Sequence, residues 1–281
     1  MIEIEKEFIM KLDGHAKLTN NAMLSFKSRC EQATSLLFNH KLCKSTQFSV
    51  LNKKWEDKEN SNEIDNNMMV KYIILQELSI YGERSLSLQK GYLTREVVSV
   101  DLEPMKLRHH YLDSGQKFHF MRRSSAATVH QAHAECVAFI KDSVSNWIAL
   151  MTRASKGIRG AGRRKISTVP MRRDAASEMA LALHALQDSF SPGHTTRESF
   201  TDSNAPGSIL DIFIYTKQDH LEHSDDDFEA GSLGSIHAKA AINASAELMY
   251  MAAISVANKS VVPIGWNDFQ NKWLKKSRSV K

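Results

Sequence analysis

The stretch Leu181-Ala-Leu-His184-Ala-Leu-Gln-Asp188-Ser-Phe-Ser-Pro-Gly-His194 decides how the chain is read. The run from Ala175 to about Phe190 is helical in pattern and opens after Asp174, so His184 and Asp188 stand one turn apart on one face. An imidazole and a carboxylate at that spacing can grip one ion. Ser191-Pro192-Gly193 then stops the helix: Pro lacks an amide proton, Gly accepts a tight turn, and the chain can bring His194 back to the same centre. Downstream, His223 and Asp227 repeat the one-turn spacing. These residues predict a helical metal cluster.

Working outward, Val129, His133, Val137, Ile140, Val144, Ile148 and Met151 form one stripe and predict a helix from Ala126 to Met151. Leu18, Ala22, Phe26, Cys30 and Leu37 predict a first long helix from Leu18 to about His40, with Thr19 or Asn20 as its cap. Further helices are expected over Val70 to Leu88 and, Ala-rich and suited to close packing, over Ile236 to about Lys259. The polar run near 44–67 reads as a solvated loop or insertion. Residues 153–174 carry eight Lys or Arg with three Gly and Pro170, and read as an exposed basic loop that could divide two helical halves. The basic tail 272–281 is expected to fray. No internal repeat is present, and the expectation is a single helical domain over 1–281.

Composition bounds the class. With 281 residues and 42% of them hydrophobic, a sizeable core is possible, which excludes a disordered chain and a disulfide miniprotein. Twelve Gly and five Pro against many Ala, Leu and Met favour helices over a turn-rich sandwich. No apolar run of 18 residues is present. Cys30, Cys43 and Cys136 form no Cys-x-x-Cys pair and read as reduced thiols. The acidic start Met-Ile-Glu-Ile-Glu-Lys-Glu-Phe is unlike a secretory leader, so synthesis in the cytoplasm is expected. A formal charge of +5 suits contact with phosphates or anionic surfaces.

His-x-x-x-Asp followed six residues later by His, then a distant His-x-x-x-Asp, resembles the zinc-dependent phospholipase C and single-strand nuclease superfamily. Upstream, His15-Ala-Lys-Leu-Thr-Asn-Asn-Ala22 is similar to that family's amino-terminal His at the head of its first helix, and Phe118-His119-Phe120 to its later aromatic-flanked His ligand. Asp101, in Val98-Ser-Val-Asp101-Leu, lies where a carboxylate ligand is expected before that His. The landmarks keep the family's order from residue 15 to 227.

The resemblance implies an all-α, multi-helix bundle of the phospholipase C type holding two to three Zn2+ ions. It assigns Asp101, His119, His184 and Asp188 to one zinc, with Asp188 bridging to a second beside His15, and His194, His223 and Asp227 to the remaining one. It also implies Asp101 as the general base that aligns the attacking water. One departure is chemical: secreted members use the free amino group of a mature amino-terminal Trp, whereas fourteen residues precede His15 here. The implied activity is phosphodiester hydrolysis, with a phospholipid or membrane surface as substrate. Nucleic acid is the lesser expectation, because the nuclease branch is typically secreted and disulfide-bearing. A membrane-attacking enzyme made without a leader would suit an exported effector held in check by an immunity protein. The rival of a different class is a non-enzymatic basic helical module that binds a membrane or nucleic acid.

The remaining histidines have plainer readings. A lone His/Asp pair at helical spacing is more often a surface hydrogen bond, and only the ordered set argues for metal. His130 and His133 read as core or half-buried residues, and the adjacent His109 and His110 as loop or surface. His220 has Ser224, not a carboxylate, four residues on, which favours His223 as the ligand. His40 and His237 carry no functional expectation.

Overall fold

The computed structural model describes residues 14–26, 28–29, 90–102, 113–124, 127–159, 169–215 and 232–278. Outside them lie the polar run 44–67, the helix expected over Val70 to Leu88, the adjacent His109 and His110, the centre of the basic stretch, and His220, His223 and Asp227. The described residues are mainly helical, in agreement with the all-α expectation, with one two-stranded sheet. None of their helices is long and apolar enough to cross a membrane.

Helix α1 covers residues 14–26 and continues over 28–29. Leu18, Ala22 and Phe26 are buried at four-residue intervals, as the stripe predicts. The helix starts earlier than expected, so Thr19 and Asn20 are not caps. Thr19 is fully buried inside it, and the Asn20 side chain accepts a hydrogen bond from Thr94 Oγ1 at 2.9 Å.

Helix α2, Lys90–Leu102, was not anticipated, because its run of β-branched Val97, Val98 and Val100 also suits a strand. It buries Leu93, Val97 and Val100 and packs on α4, with Ser177 Oγ donating to Glu96 Oε2 at 2.9 Å. A short 3-10 helix, Asp113–His119, follows.

Helix α3, Val129–Arg159, opens with a reciprocal cap: Gln131 N donates to Thr128 Oγ1 (3.1 Å) while Thr128 N donates to Gln131 Oε1 (2.9 Å). All seven positions of its predicted stripe are buried.

Helix α4, Val169–Asp188, begins with Pro170 in its first turn, where a missing amide proton costs nothing. The basic stretch is therefore not one loop: α3 runs on to Arg159 and α4 starts at Val169. Lys and Arg are good helix formers, and their charge does not end a helix that neighbouring turns already support. From Ala182 to Asp188 every residue of α4 is buried, so this half is enclosed on all sides by α2, α3, α5 and the 3-10 turn.

After α4, strands β1 (Thr195–Arg197) and β2 (Ile209–Ile212) pair antiparallel, with a bulge between Thr196 and Arg197. Gly207 is required where the strands close, since a Cβ there would meet Glu198 O at 2.1 Å. Helix α5, Ile236–Ala257, is capped by Ser235 and matches the Ala-rich helix expected.

Helix α6, Trp266–Trp273, corrects the frayed tail. Trp266, Phe269 and Trp273 are buried at helical spacing, Leu274 is fully buried, and Ile209 N donates to Lys275 O at 2.8 Å. One apolar cluster joins Leu18 to Leu274.

His133 is the buried residue expected, with Nε2 donating to Leu274 O at 2.6 Å. Burial, helped by Lys276, Arg197 and His130, pulls its pKa below the usual value near 6.5 despite that bond. As pH falls below about 6.5 the unfolded chain takes a proton that the folded chain refuses, so stability is lost. His133→Gln, whose amide can still donate to Leu274 O, is expected to reduce this acid sensitivity. Urea unfolding of both proteins at about pH 7.5 and about pH 5.5 checks it.

Candidate metal centre

The enclosed end of α4 presents two groups inward, His184 and Asp188, both within 4% of full burial. The other elements supply the rest: His15 from the first turn of α1, His119 from the end of the 3-10 turn, and His194 from the turn after α4. That turn is built as the Ser-Pro-Gly signal predicts, with Ser191 N donating to Asp188 O (2.9 Å) and His194 N to Ser191 O (3.0 Å).

His119 is aimed by its neighbour. Phe120 has φ of 50°, a left-handed conformation that a bulky residue rarely holds, and its ring is fully buried. Burial of that ring and the bond from Met121 N to Gln116 O (3.0 Å) hold the bend that turns the His119 ring inward.

The four imidazoles converge on one carboxylate, Asp188. Asp188 Oδ1 lies 3.1 Å from His15 Nε2, and Asp188 Oδ2 lies 3.2, 3.5 and 3.8 Å from His184 Nε2, His119 Nδ1 and His194 Nδ1. The His184 and His119 nitrogens are 3.1 Å apart, and the His15 ring stacks on His184 with centroids 4.1 Å apart. Burial alone would push the Asp188 carboxyl up; His194, His184, His15 and His119 outweigh it and hold the carboxyl well below the usual carboxylate range.

Three of the imidazoles have one ring nitrogen turned to a protein acceptor. His184 Nδ1 faces Val97 O at 3.2 Å, His15 Nδ1 faces Gln187 Oε1 at 2.8 Å, and His194 Nδ1 meets His119 O. A proton held there leaves the opposite nitrogen as a lone-pair donor, the state a ligating imidazole needs. For His15 and His184 that opposite nitrogen faces Asp188.

His15, His184 and Asp188 thus form a group that could hold a metal ion, with ligand atoms all within 4.8 Å of one another. The spacing suits a small tetrahedral cation: ligands about 2.0–2.1 Å from zinc sit about 3.3 Å from each other. His184 Nε2, His119 Nδ1 and Asp188 Oδ2 make a triangle with edges of 3.1, 3.5 and 3.2 Å. Asp188 Oδ2 sits at its corner buried and without a hydrogen bond of good geometry, so a cation is the partner that this oxygen fits.

Of the eight residues singled out in the sequence, the structure brings His15, His119, His184, Asp188 and His194 together. Asp101 stands in the last turn of α2, one turn beyond Val97, with its side chain outside the described residues. His223 and Asp227 lie outside them altogether. Gln187, which bonds His15, was not anticipated, since a glutamine inside an apolar helical run gives no spacing signal. No protein-family model, curated protein or solved structure matches the chain.

Proposed function

We propose that the chain is a zinc-dependent phosphodiester hydrolase that cleaves phospholipid head groups in the manner of a phospholipase C. The supporting observation is Asp188. One buried carboxylate directs Oδ1 to His15 and Oδ2 to His184 and His119, the arrangement expected of a carboxylate shared between two cations. In this reading Asp101, His119, His184 and Asp188 hold one ion, His15 and Asp188 a second, and His194 with His223 and Asp227 a third.

Zinc bound there neutralises non-bridging phosphate oxygens and lowers the pKa of water towards about 7. The chain's own groups do the rest. Asp188 fixes the spacing of the imidazoles, and the carbonyls of Val97 and His119 fix the ring orientations of His184 and His194. Asp101 would be the base that takes the proton of the water attacking phosphorus in line. The phosphorus–oxygen bond to glycerol breaks, and the leaving alkoxide picks up a proton, giving diacylglycerol and a phosphorylated head group. Lipid is favoured over nucleic acid because the basic stretch suits anionic head groups.

The test is an assay of the full chain, stripped with chelator and then given Zn2+, against vesicles of phosphatidylcholine and phosphatidylglycerol and against single-stranded DNA. Zinc-dependent release of a phosphorylated head group is expected. Cleavage of DNA alone would move the protein to the nuclease branch, and cleavage of neither would leave the non-enzymatic module.

A further inference from the structure

We propose that Gln187 is a positioning residue for the metal centre: a buried amide, clamped by three helices, that sets the tautomer of His15 and so makes Nε2 its ligating nitrogen. The inference rests on the metal-centre reading above and deepens it.

Gln187 is 2% exposed, directly before Asp188 in the enclosed half of α4. An amide buried there must use its polar atoms or lose several kcal/mol of hydration. Its Oε1 meets His15 Nδ1 at 2.8 Å, while its Nε2 donates to Thr19 Oγ1 at 3.1 Å and to Ser245 Oγ at 3.5 Å. Thr19 and Ser245 are both fully buried, on α1 and α5. The amide therefore bridges α1, α4 and α5, with its oxygen turned to His15 and its nitrogen to the two hydroxyls.

The consequence for His15 is chemical. An amide oxygen can only accept, so His15 Nδ1 must carry the proton. With Nδ1–H on Gln187, Nε2 is the nitrogen that a cation can take, displacing the proton that it shares with Asp188 Oδ1 at 3.1 Å. A ligand with its proton on the wrong nitrogen would have to change tautomer before binding. His15 sits in the first turn of a helix, where the backbone holds it least, so the amide also fixes the direction of its ring. Sequence spacing assigns Gln187 no task; the hydrogen bonds give it one.

The test compares Zn2+ binding by the chelator-stripped full chain, followed by calorimetry, with the tautomer of His15 read from 15N-histidine spectra. Gln187→Met keeps the volume and removes the acceptor, and is expected to weaken one class of zinc site by about 10–100-fold. Gln187→Glu keeps an acceptor for His15 and can accept from both hydroxyls, and is expected to bind zinc within a few-fold of wild type. In the metal-free wild type His15 should be protonated at Nδ1, and in Gln187→Met this preference should be lost. Should Gln187→Met not fold, Thr19→Val, which loosens the clamp at constant shape, is expected to weaken the same zinc site. Wild-type affinity in Gln187→Met, with His15→Ala still losing metal, would overturn the role of Gln187 and leave the metal centre standing. A wild-type chain that binds no zinc would overturn both.

Discussion

Asp188→Asn is expected to lower zinc-dependent turnover by more than about a hundredfold and to remove at least one bound ion, with the fold retained. Asn has the shape of Asp, so the packing of α4 survives. It has one acceptor oxygen and no charge, so it cannot serve imidazoles on both sides as Asp188 does through Oδ1 and Oδ2. The imidazoles outweigh the burial cost of that charge, so its loss also costs stability, and the metal-free variant should melt below the metal-free wild type. The gap should widen when zinc is added. Ligand at about 1,000 times its Kd adds about 4 kcal/mol to the folded state, roughly 10 °C in a chain of this size. The wild type should show that rise and Asp188→Asn should not. An equal rise in both would remove Asp188 from the centre.

The second large effect is on stability, from Arg197→Met. Arg197 is a half-buried residue whose described partners are all neutral. It donates to Ser189 O through Nε (3.0 Å), to Gly207 O and Trp273 O (3.2 and 3.1 Å), and to Ser189 Oγ (3.3 Å), and it lies 4.5 Å from the Phe190 ring centroid. Burial draws its pKa down to about 9, which leaves it cationic at neutral pH. Two of its acceptors, Ser189 O just past α4 and Trp273 O at the end of α6, are carbonyls at helix C-termini, where a cation is favoured. Arg197 therefore ties together the turn that carries His194, the hairpin and the C-terminal helix. Met fills the stem's volume but leaves Gly207 O and Trp273 O without this donor and Ser189 O with Thr195 Oγ1 alone (2.8 Å), at an expected cost of about 2–4 kcal/mol in total. Urea unfolding measures it, and a loss under about 1 kcal/mol would show that water replaces the guanidinium at no cost.

The parts of the molecule that were legible in the sequence are those whose signal is local. The His184/Asp188 spacing, the Ser-Pro-Gly stop and the stripe of α3 each lie within a few turns of chain. The start of α1 was misplaced because Thr19 resembles a cap until its hydroxyl is seen to face Gln187 across the core. Helix α6 was hidden by the basic residues between and after its aromatics: Lys272 reaches outward to Glu247 at 2.7 Å while Trp273 turns inward. The hairpin strands are three and four residues long, too short for a period to show. In the candidate site, the sequence had singled out the five residues that the structure brings together, His15, His119, His184, Asp188 and His194. What was not readable is orientation, because Gln187, Val97 O and the left-handed Phe120 act through contacts between elements far apart in the chain.

The most direct test of the central claim is the zinc content of the full chain, purified without chelator and measured by elemental analysis. Two to three equivalents per chain are expected, falling by at least one in Asp188→Asn. Wild-type protein carrying no stoichiometric transition metal, and taking up none when zinc is supplied, would contradict it and leave the cluster as a hydrogen-bonded core network.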